Sequence, residues 1–358
     1  MSINVTEPFL PPLETYIEYL KTIWNNKTLT NRGPLIKQLE SKLANFFQTE
    51  KALFTSNGTI ALQLAIKALD INGEIITTPF SYITTTSVII WEGCKVVFAD
   101  INPDTLTIDP IEVEKKITKD TKAILATHVY GIPCDVEALD KIAKKYNLKI
   151  IYDAAHSFAV QYKGKPLVTF GDISTISFHA TKLFHTVEGG AIVANNTTIM
   201  DRVFRIHNFG QKSQGDFCEV GINAKNSELH AAMGLCNLEN VGESIKKRYN
   251  ITNQYDKLLL RNNLLKKPSI PEFTEYNFAY YPIILPSQGS LLKVIDLLNK
   301  EHIYPRRYFY PCLTKLNYTQ GYTPIAEDIA QRILCLPLYD NLSEQTVTKI
   351  SNLILNTI

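Results

Sequence analysis

The chain contains 358 residues, of which 45% are hydrophobic, and its 37 Lys and Arg residues nearly balance 35 Asp and Glu residues, for a net charge of +2. This length suits one large domain with a smaller one, and the near-neutral charge without a long basic run argues against a nucleic-acid-binding surface. The longest apolar runs are too short for a membrane span and the first residues lack a signal-peptide pattern, so we predict a cytoplasmic protein that does not enter the membrane.

The first part of the chain predicts helices, a loop and a strand that leads directly into another helix. Apolar residues recur at helical spacing in residues 13–23, the turn-rich segment 24–34 predicts a loop, and residues 35–47 predict an amphipathic helix. A short apolar run at 52–54 enters an Asn-Gly turn where a helix opens at once. Free N–H groups at a helix start attract anions and Gly58 permits close approach, so this turn is a candidate phosphate site, although many such turns only cap a helix.

The next part of the chain alternates strand patterns with helical patterns. These patterns occupy residues 74–78, 95–99, 110–117, 123–127 and 136–146. The alternation predicts βαβ units and a mostly parallel sheet with helices on both faces. Tyr82 follows the first of these strands, where an aromatic ring can lie against a ligand, although core packing is the commoner use of a tyrosine.

Residues 150–190 contain the side chains on which the functional prediction depends. An apolar run typical of a buried parallel strand ends at Asp153, a second strand pattern covers 174–178, and Lys182 follows it. Ligands of open α/β sheets bind beyond the carboxyl ends of the strands, so Asp153, Ser177 and Lys182 are placed to converge on one ligand. A lysine that attaches an aldehyde and a carboxylate that faces a pyridinium nitrogen suit pyridoxal phosphate. Taken singly, Asp153 as a helix cap and Lys182 as a solvated loop lysine stay open as alternatives.

The last part of the chain predicts a separate set of elements. A long helical pattern covers residues 229–261, and from about residue 270 strands and helices follow one another in short pieces. We therefore predict a large domain, residues 1–245, which includes the N-terminal segment, and a small C-terminal domain, residues 246–358. The six cysteines are scattered, with no C-x-x-C pair and no histidines at metal-binding spacing, so we predict reduced thiols and no metal site.

Four motifs occur in one order and together resemble a known family. They are N-G-T at 57–59, D-A-A-H at 153–156, S-F-x-x-x-K followed by E-G-G at 177–190, and G-x-N at 221–223. The set is similar to the DegT/DnrJ/EryC1/StrS family of nucleotide-sugar aminotransferases, over nearly the whole chain from Pro8 to about Tyr339. The resemblance implies an α/β protein of the aspartate-aminotransferase type (fold type I), with a large, mostly parallel α/β sheet domain and a smaller C-terminal α+β domain.

The resemblance also implies a pyridoxal 5'-phosphate site. Lys182 would attach the cofactor and then move the proton of the transamination step, and Asp153 would keep the pyridine nitrogen protonated. His156 would reach the phenolic oxygen, and Tyr82 would stack on the ring. The phosphate would be held by Gly58, Thr59 and Ser177, helped by Asn223 from the other subunit of a homodimer with shared active sites.

On the substrate side, the resemblance implies a nucleotide sugar and L-glutamate. The predicted substrate-binding residues lie in the loop near residue 30 and in a later basic and aromatic segment: Thr30, Arg306, Arg307, Tyr308 and Tyr310. Arginine in such a place suits a diphosphate. Lys225 stands where relatives often carry arginine, and the G-E-G-G of relatives reads V-E-G-G here. Both differences concern the substrate and not the cofactor.

These similarities predict an aminotransferase that moves an amino group from L-glutamate to a keto nucleotide sugar. Segments 7–13, 29–34 and 306–311 look like those of enzymes that convert dTDP-4-dehydro-6-deoxy-D-glucose to dTDP-4-amino-4,6-dideoxy-D-glucose for O-antigen and other surface polysaccharides. Alternatives are a 3-aminotransferase acting on a dTDP-3-keto-6-deoxyhexose, a UDP- or GDP-linked substrate, and a non-catalytic regulatory relative of the same fold. A subset of the family carries histidine in place of the lysine and dehydrates the sugar; Lys182 favours transamination, and His185 leaves a question for the structure.

Overall fold

A computed structural model describes residues 2–358 of the chain. Within these residues the α-helices are α1 (Leu13–Asn26), α2 (Pro34–Phe46), α3 (Gly58–Ala68), α4 (Ile83–Trp91), α5 (Pro110–Lys116), α6 (Val136–Tyr146), α7 (Thr197–Ile206), α8 (Glu228–Leu238), α9 (Val241–Leu259), α10 (Gln288–Lys300), α11 (Pro324–Arg332) and α12 (Glu344–Leu355). The strands are β1 (Ile3–Asn4), β2 (Ala52–Thr55), β3 (Glu74–Thr77), β4 (Lys95–Phe98), β5 (Thr121–Thr127), β6 (Lys149–Asp153), β7 (Gln161–Tyr162), β8 (Lys165–Pro166), β9 (Ile173–Ser177), β10 (Gly190–Val193), β11 (Gln211–Ser213), β12 (Asp216–Phe217), β13 (Thr274–Glu275), β14 (Tyr281–Ile284), β15 (Ile303–Tyr304) and β16 (Ile333–Leu336).

The largest sheet in the described part of the chain has the strand order β2-β10-β9-β6-β5-β3-β4. Neighbouring strands pair in parallel except at β10, which is antiparallel to both β2 and β9. A loop without a crossover helix joins β9 to β10, so the chain returns in the opposite direction. The start of β10 therefore lies at the same edge as the carboxyl ends of the other strands. The prediction of a mostly parallel α/β sheet is confirmed.

Two hydrophobic cores cover the two faces of this sheet over most of its width. Successive strand residues enter opposite cores: Ile75 and Ile151 pack on one side, whereas Ile76 and Ile150 pack on the other. Helices α3, α4 and α7 complete the first core, and α5 and α6 complete the second. Burial of each such side chain stabilises the fold by roughly 1.5–3 kcal/mol. Strands buried on both faces need continuous apolar runs, which is the pattern that the sequence shows.

The C-terminal part of the chain has a core of its own. Strands β14 and β16 form an antiparallel pair, and α9, α10 and α12 pack against it around buried residues such as Tyr255, Leu298 and Ile350. The N-terminal strand β1 pairs in parallel with β15. The first residues of the chain therefore pack against its C-terminal part.

One predicted element is wrong. The single helix expected over residues 229–261 is two helices, because the chain breaks between Leu238 and Val241. At the break, the Asn240 side chain donates to the carbonyl of Cys236, a local bond that competes with the helical ladder. None of the helices within residues 2–358 is long and apolar enough to span a membrane.

Candidate active site

A cavity of about 320 Å³ lies where the carboxyl ends of several strands of the sheet meet the start of β10. Many of the residues predicted from the sequence line it: Gly58, Thr59, Tyr82, Asp153, His156, Ser177, Lys182 and Tyr308. They end or follow the strands β2, β3, β6 and β9, except for Tyr308, which comes from the C-terminal part of the chain. The parallel order of the sheet brings these distant positions to one edge, as ligand sites of α/β sheets require.

Lys182 lies in the loop between β9 and β10, and its Nζ donates a hydrogen bond to the Tyr280 hydroxyl at 3.2 Å. Burial lowers the pKa of Lys182 from its ordinary value to about 8, and the nearby Asp153 carboxylate opposes part of this shift. At neutral pH a useful fraction of this amine is therefore unprotonated. An unprotonated amine is the form that attacks an aldehyde or accepts a proton.

Asp153 is the last residue of β6 and is only 6% exposed. Its Oδ1 accepts the N–H of Ala155 at 3.1 Å, and its Oδ2 accepts the hydroxyl of Thr85 at 2.9 Å. Burial raises the pKa of Asp153, whereas these two hydrogen bonds and the charge of Lys182 lower it. Because both direct partners are neutral, the charge of this buried carboxylate is not matched by contact with a cation. A pyridinium nitrogen would supply that charge, so this residue fits the predicted cofactor.

His156 lies three residues after Asp153 and is buried. Its Nδ1 accepts the N–H of Tyr130 at 3.0 Å, so in the neutral ring Nε2 bears the proton. Burial, together with the charge of Lys182, holds the pKa of His156 well below its ordinary value. The ring is therefore a neutral donor, which suits the phenolic oxygen of the cofactor.

The start of α3 forms the end of the cavity that suits a phosphate. The side chain of Asn57 caps the helix by accepting the N–H of Ile60 at 2.9 Å. The first N–H groups of the helix, at Gly58 and Thr59, lack intrahelical partners and border the cavity. A Cβ at position 58 would lie 3.1 Å from the Cβ of Ser177, so glycine allows Ser177 to approach. These features fit a phosphate at a helix N-terminus.

Other predicted residues lie outside this cavity. Tyr310, Asn223, Thr30 and Arg306 are exposed on this chain. Arg307 lies over the ring of Tyr310, 3.4 Å from its centroid, and donates to the carbonyl of Ala330 at 3.1 Å. Tyr82 lines the cavity but is 60% exposed, so one of its faces is free for a ligand or a second subunit.

His185 does not line the cavity. Its Nδ1 accepts the N–H of Val187 at 3.2 Å, which leaves the proton on Nε2, and Nε2 donates to the carbonyl of Phe9 at 2.7 Å. The Asn237 amide also holds the carbonyl of His185, at 2.9 Å. This histidine therefore fixes the N-terminal segment against the β9–β10 loop.

Sequence reasoning missed two polar side chains at the centre of the site. Tyr280 precedes β14, almost a hundred residues after Lys182, and no motif marks it. Thr85 lies in the first turn of α4, inside a run of three threonines in which no motif marks it. Its hydroxyl also contacts that of Ser81 at 2.8 Å, and Ser81 contacts Thr127 at 3.0 Å. This chain of hydroxyls ends on Asp153.

The sheet with its single reversed strand, and a half-buried lysine beside a buried carboxylate at its edge, define a pyridoxal-phosphate-dependent aminotransferase of fold type I. The family profile of the DegT/DnrJ/EryC1/StrS aminotransferases matches residues 13–355, and the chain belongs to this family. It is 41% identical over 353 residues to the dTDP-4-amino-4,6-dideoxy-D-glucose transaminase of Shigella dysenteriae, with 95% of each chain covered. It is 40% identical over 369 residues to the Escherichia coli transaminase of the same name, with 99% of this chain and 98% of the relative covered.

Solved structures agree with this assignment. DesI, solved in the presence of its TDP-sugar product, superposes with a TM-score of 0.94 at 30% identity, covering 99% of this chain and 93% of DesI. The PLP form of a putative sugar aminotransferase from Streptococcus pneumoniae gives a TM-score of 0.90 at 25% identity, with both chains covered completely. The cofactor predicted from the sequence, pyridoxal 5'-phosphate, is therefore confirmed.

Proposed function

We propose that this protein transfers the amino group of L-glutamate to C4 of dTDP-4-dehydro-6-deoxy-D-glucose, giving dTDP-4-amino-4,6-dideoxy-D-glucose. The activities named for the Shigella and Escherichia relatives support this substrate, because both alignments span nearly the whole of each chain. The observation that carries the reaction class is the presence of Lys182 and Asp153 in one cavity. In this proposal the enzyme acts in the cytoplasm and its product enters O-antigen or another surface polysaccharide.

Bound pyridoxal phosphate supplies an aldehyde that exchanges amino groups and a ring that takes up the electrons released at the reacting carbon. Lys182 would attach the cofactor at rest, and as a free base it would take and return the proton at the reacting carbon. Its lowered pKa, about 8, suits both steps at neutral pH.

The other residues of the cavity hold the cofactor in place. Asp153 would bind the pyridine nitrogen, with its carboxylate oriented by Thr85 and the backbone of Ala155. His156 would donate from Nε2 to the phenolic oxygen. Gly58 and Thr59 at the start of α3 would hold the phosphate together with Ser177 at the end of β9, and Tyr82 would lie against the ring.

We place Asn223 in the active site of a second subunit. Asn223 is exposed on its own chain and lies next to Ile222, whose carbonyl accepts the N–H of Phe209 at 3.0 Å. Phe209, Val220 and Ile222 are apolar side chains exposed by 48%, 79% and 39%. Such a patch around a polar side chain supports a homodimer in which this surface is covered.

The nucleotide sugar enters between the aromatic and basic segment near residue 308 and the loop near residue 30. Tyr308 already lines the cavity, and Thr30, Arg306 and Tyr310 are exposed where a second subunit or the diphosphate can reach them. Arg307 lies over the ring of Tyr310 and donates to the carbonyl of Ala330, and we keep it among the proposed substrate-binding residues.

The decisive experiment is product analysis with the purified protein. The enzyme loaded with pyridoxal phosphate should change its visible spectrum on addition of L-glutamate. It should then convert dTDP-4-dehydro-6-deoxy-D-glucose to a product whose amino group NMR places on C4. Lys182→Ala is the matched control and should form no product, because it lacks the attaching amine.

The alternatives give different outcomes in the same experiment. An amino group on C3, formed only from the 3-keto isomer, would identify a 3-aminotransferase. Amination of GDP- or UDP-linked keto sugars in preference to the dTDP sugar would overturn the proposed nucleotide. A protein that binds no cofactor would be a regulatory relative of the same fold.

A further inference from the structure

Tyr280 brings a phenol to the reacting nitrogen from the far end of the chain. Its hydroxyl lies 3.2 Å from Nζ of Lys182, and its ring lies 4.6 Å from the ring of His156. Tyr280 immediately precedes β14, whereas Lys182 lies between β9 and β10. The contact therefore joins the C-terminal part of the chain to the edge of the large sheet, at the atom where the chemistry occurs.

We propose that Tyr280 is a positioning residue whose hydroxyl holds the ε-amine of Lys182 inside the cavity whenever that amine is not attached to the cofactor. The inference rests on the proposed function, since an aminotransferase needs Lys182 to leave the cofactor and return in every cycle. A long, flexible lysine side chain that was released without a partner would sample many rotamers. An ε-amine that is held near the reacting carbon reaches the proton with a smaller loss of conformational freedom.

A phenol suits this role in both protonation states of the lysine. The oxygen of Tyr280 accepts a hydrogen bond from the ammonium, and its O–H donates to the lone pair of the neutral amine. Burial raises the pKa of Tyr280, so the phenol keeps its proton at neutral pH. Lys182 can therefore take and return a proton without losing its partner.

The other groups near Lys182 are engaged elsewhere or carry no charge. Asp153 faces it but is bound by Thr85 and Ala155, and His156 is kept neutral by burial. Tyr82 faces it from the start of α4, with a largely exposed ring. His179 and Glu188 also line the cavity, and they pair with each other at 3.5 Å. Within residues 2–358, the side-chain hydrogen bond that Nζ of Lys182 makes is the one to Tyr280.

The test measures the basicity of Lys182 directly, in protein freed of cofactor. Limiting formaldehyde with cyanoborohydride methylates unprotonated amines. Mass spectrometry of the Lys182 peptide across a pH series then gives the midpoint, which is the pH at which methylation of Lys182 is half-maximal. In Tyr280→Phe the midpoint should fall by about 1 pH unit, because a hydrogen bond to a charged group is stronger than one to a neutral group. In the loaded enzyme, kcat should fall by about tenfold, with KM for both substrates within about twofold of wild type.

Tyr255→Phe is the matched control. Tyr255 is also a buried tyrosine, and its hydroxyl donates to the carbonyl of Pro337 at 3.1 Å, within the C-terminal core. The Tyr255→Phe variant loses a tyrosine hydrogen bond that lies away from Lys182, so the methylation midpoint of Lys182 should stay at the wild-type value. Should Tyr280→Phe not fold, 3-fluorotyrosine at position 280 keeps the shape but weakens the acceptor. It should move the midpoint in the same direction by a smaller amount.

A wild-type midpoint in both variants at position 280 would overturn the role of Tyr280. That result is distinct from failure of the proposed function. Wild-type protein that aminates none of the keto sugars would remove the proposed activity but would not change the effect of Tyr280 on the methylation midpoint.

Discussion

Burial acts in opposite directions on the two ionisable residues at the centre of the cavity. It raises the pKa of Asp153 and lowers the pKa of Lys182 to about 8, and in each case the charged form is disfavoured. A pyridinium beside Asp153 would lower the pKa of Asp153 again, because an opposite charge favours the carboxylate. Lys182 gains differently, since attachment to the cofactor would use the unprotonated amine, which is the form that burial favours. The two residues therefore both favour a bound cofactor, each for its own electrostatic reason.

Asp153→Asn tests the first of these effects. The amide keeps the shape of the side chain but cannot hold a proton on the pyridine nitrogen. We expect the variant to keep part of its cofactor, and kcat to fall as the barrier rises by about 3 kcal/mol, the size of effect found when one preorganised electrostatic partner is removed. Stopped-flow spectra and kcat measure this loss. Turnover near the wild-type value would mean that Asp153 only caps the turn at Ala155.

Thr85 and Thr86 form a natural pair of variants for the orientation of Asp153. Both are fully buried in α4, but the Thr85 hydroxyl donates to Asp153 at 2.9 Å, whereas the Thr86 hydroxyl has no hydrogen-bond partner among the described residues. Thr85→Val should raise the pKa of Asp153, since the lost bond favoured the carboxylate. We expect kcat to fall by about tenfold, in line with a charged hydrogen bond of about 1.5 kcal/mol.

Thr86→Val supplies the control for this prediction. It removes a buried hydroxyl without removing a bond, so activity should not change and the free energy of unfolding should stay equal or increase slightly. Equal loss of kcat in both variants would show that helix packing, and not the bond to Asp153, sets the activity. Thermal unfolding of both variants separates that case from simple loss of stability.

At the scale of whole elements, the reversed strand β10 determines the shape of the phosphate end of the cavity. Gly190 pairs with Thr55 on one side and Ser177 on the other. A Cβ at Gly190 would lie 2.6 Å from the carbonyl carbon of Asn57 and 2.8 Å from the backbone nitrogen of Gly58. The second glycine of the E-G-G motif is therefore required by the approach of β10 to the start of α3.

Gly190→Ala should consequently disturb cofactor binding more than it disturbs the rest of the fold. The added methyl group must push the first turn of α3 away, and we expect a cost of about 1–3 kcal/mol in the free energy of unfolding. The affinity for pyridoxal phosphate should fall by at least about tenfold, because the phosphate-binding N–H groups move. Gly242→Ala is the control, since a Cβ there meets no atom within 4 Å. If both variants bind the cofactor normally, the start of α3 is not the phosphate site.

Sequence patterns predicted most of the sheet, and the reason is physical. Strands buried on both faces are mostly apolar, so β5 and β6 are visible as apolar runs that end at polar residues. Contacts between distant segments leave no such pattern. The bond between Lys182 and Tyr280 joins segments almost a hundred residues apart, and the side-chain hydrogen bond of Asn240 at the helix break follows no periodic pattern.

At the scale of the whole molecule, the chain has more than one core. Buried residues between Ile251 and Ile354 form a cluster of their own around β14 and β16, apart from the cores of the large sheet. This supports our proposal that a smaller domain follows residue 245, with α9 running across the boundary. The active site then lies between the domains, because Tyr280 and Tyr308 reach the cavity from the C-terminal side.

The exposed position of Asn223 extends this argument to a second copy of the chain. If Asn223 binds the phosphate in the partner's cavity, Asn223→Ala should weaken pyridoxal phosphate binding by roughly 1.5–3 kcal/mol, the range for one hydrogen bond to a charged group. A titration of the apoenzyme with the cofactor, followed by absorbance, measures this change. Affinity equal to that of wild type would remove Asn223 from the phosphate site.

Mixing Asn223→Ala with Lys182→Ala shows which subunit Asn223 serves. In a heterodimer with shared sites, one cavity receives a wild-type Lys182 and a wild-type partner Asn223, and the other cavity receives both lesions. The mixture should therefore regain activity, up to about a quarter of the wild-type rate if symmetric subunits exchange at random. The assay is run at a cofactor concentration at which Asn223→Ala alone is inactive, and differently tagged subunits verify that heterodimers form. With heterodimers present, the absence of any recovery would place Asn223 in the site of its own subunit.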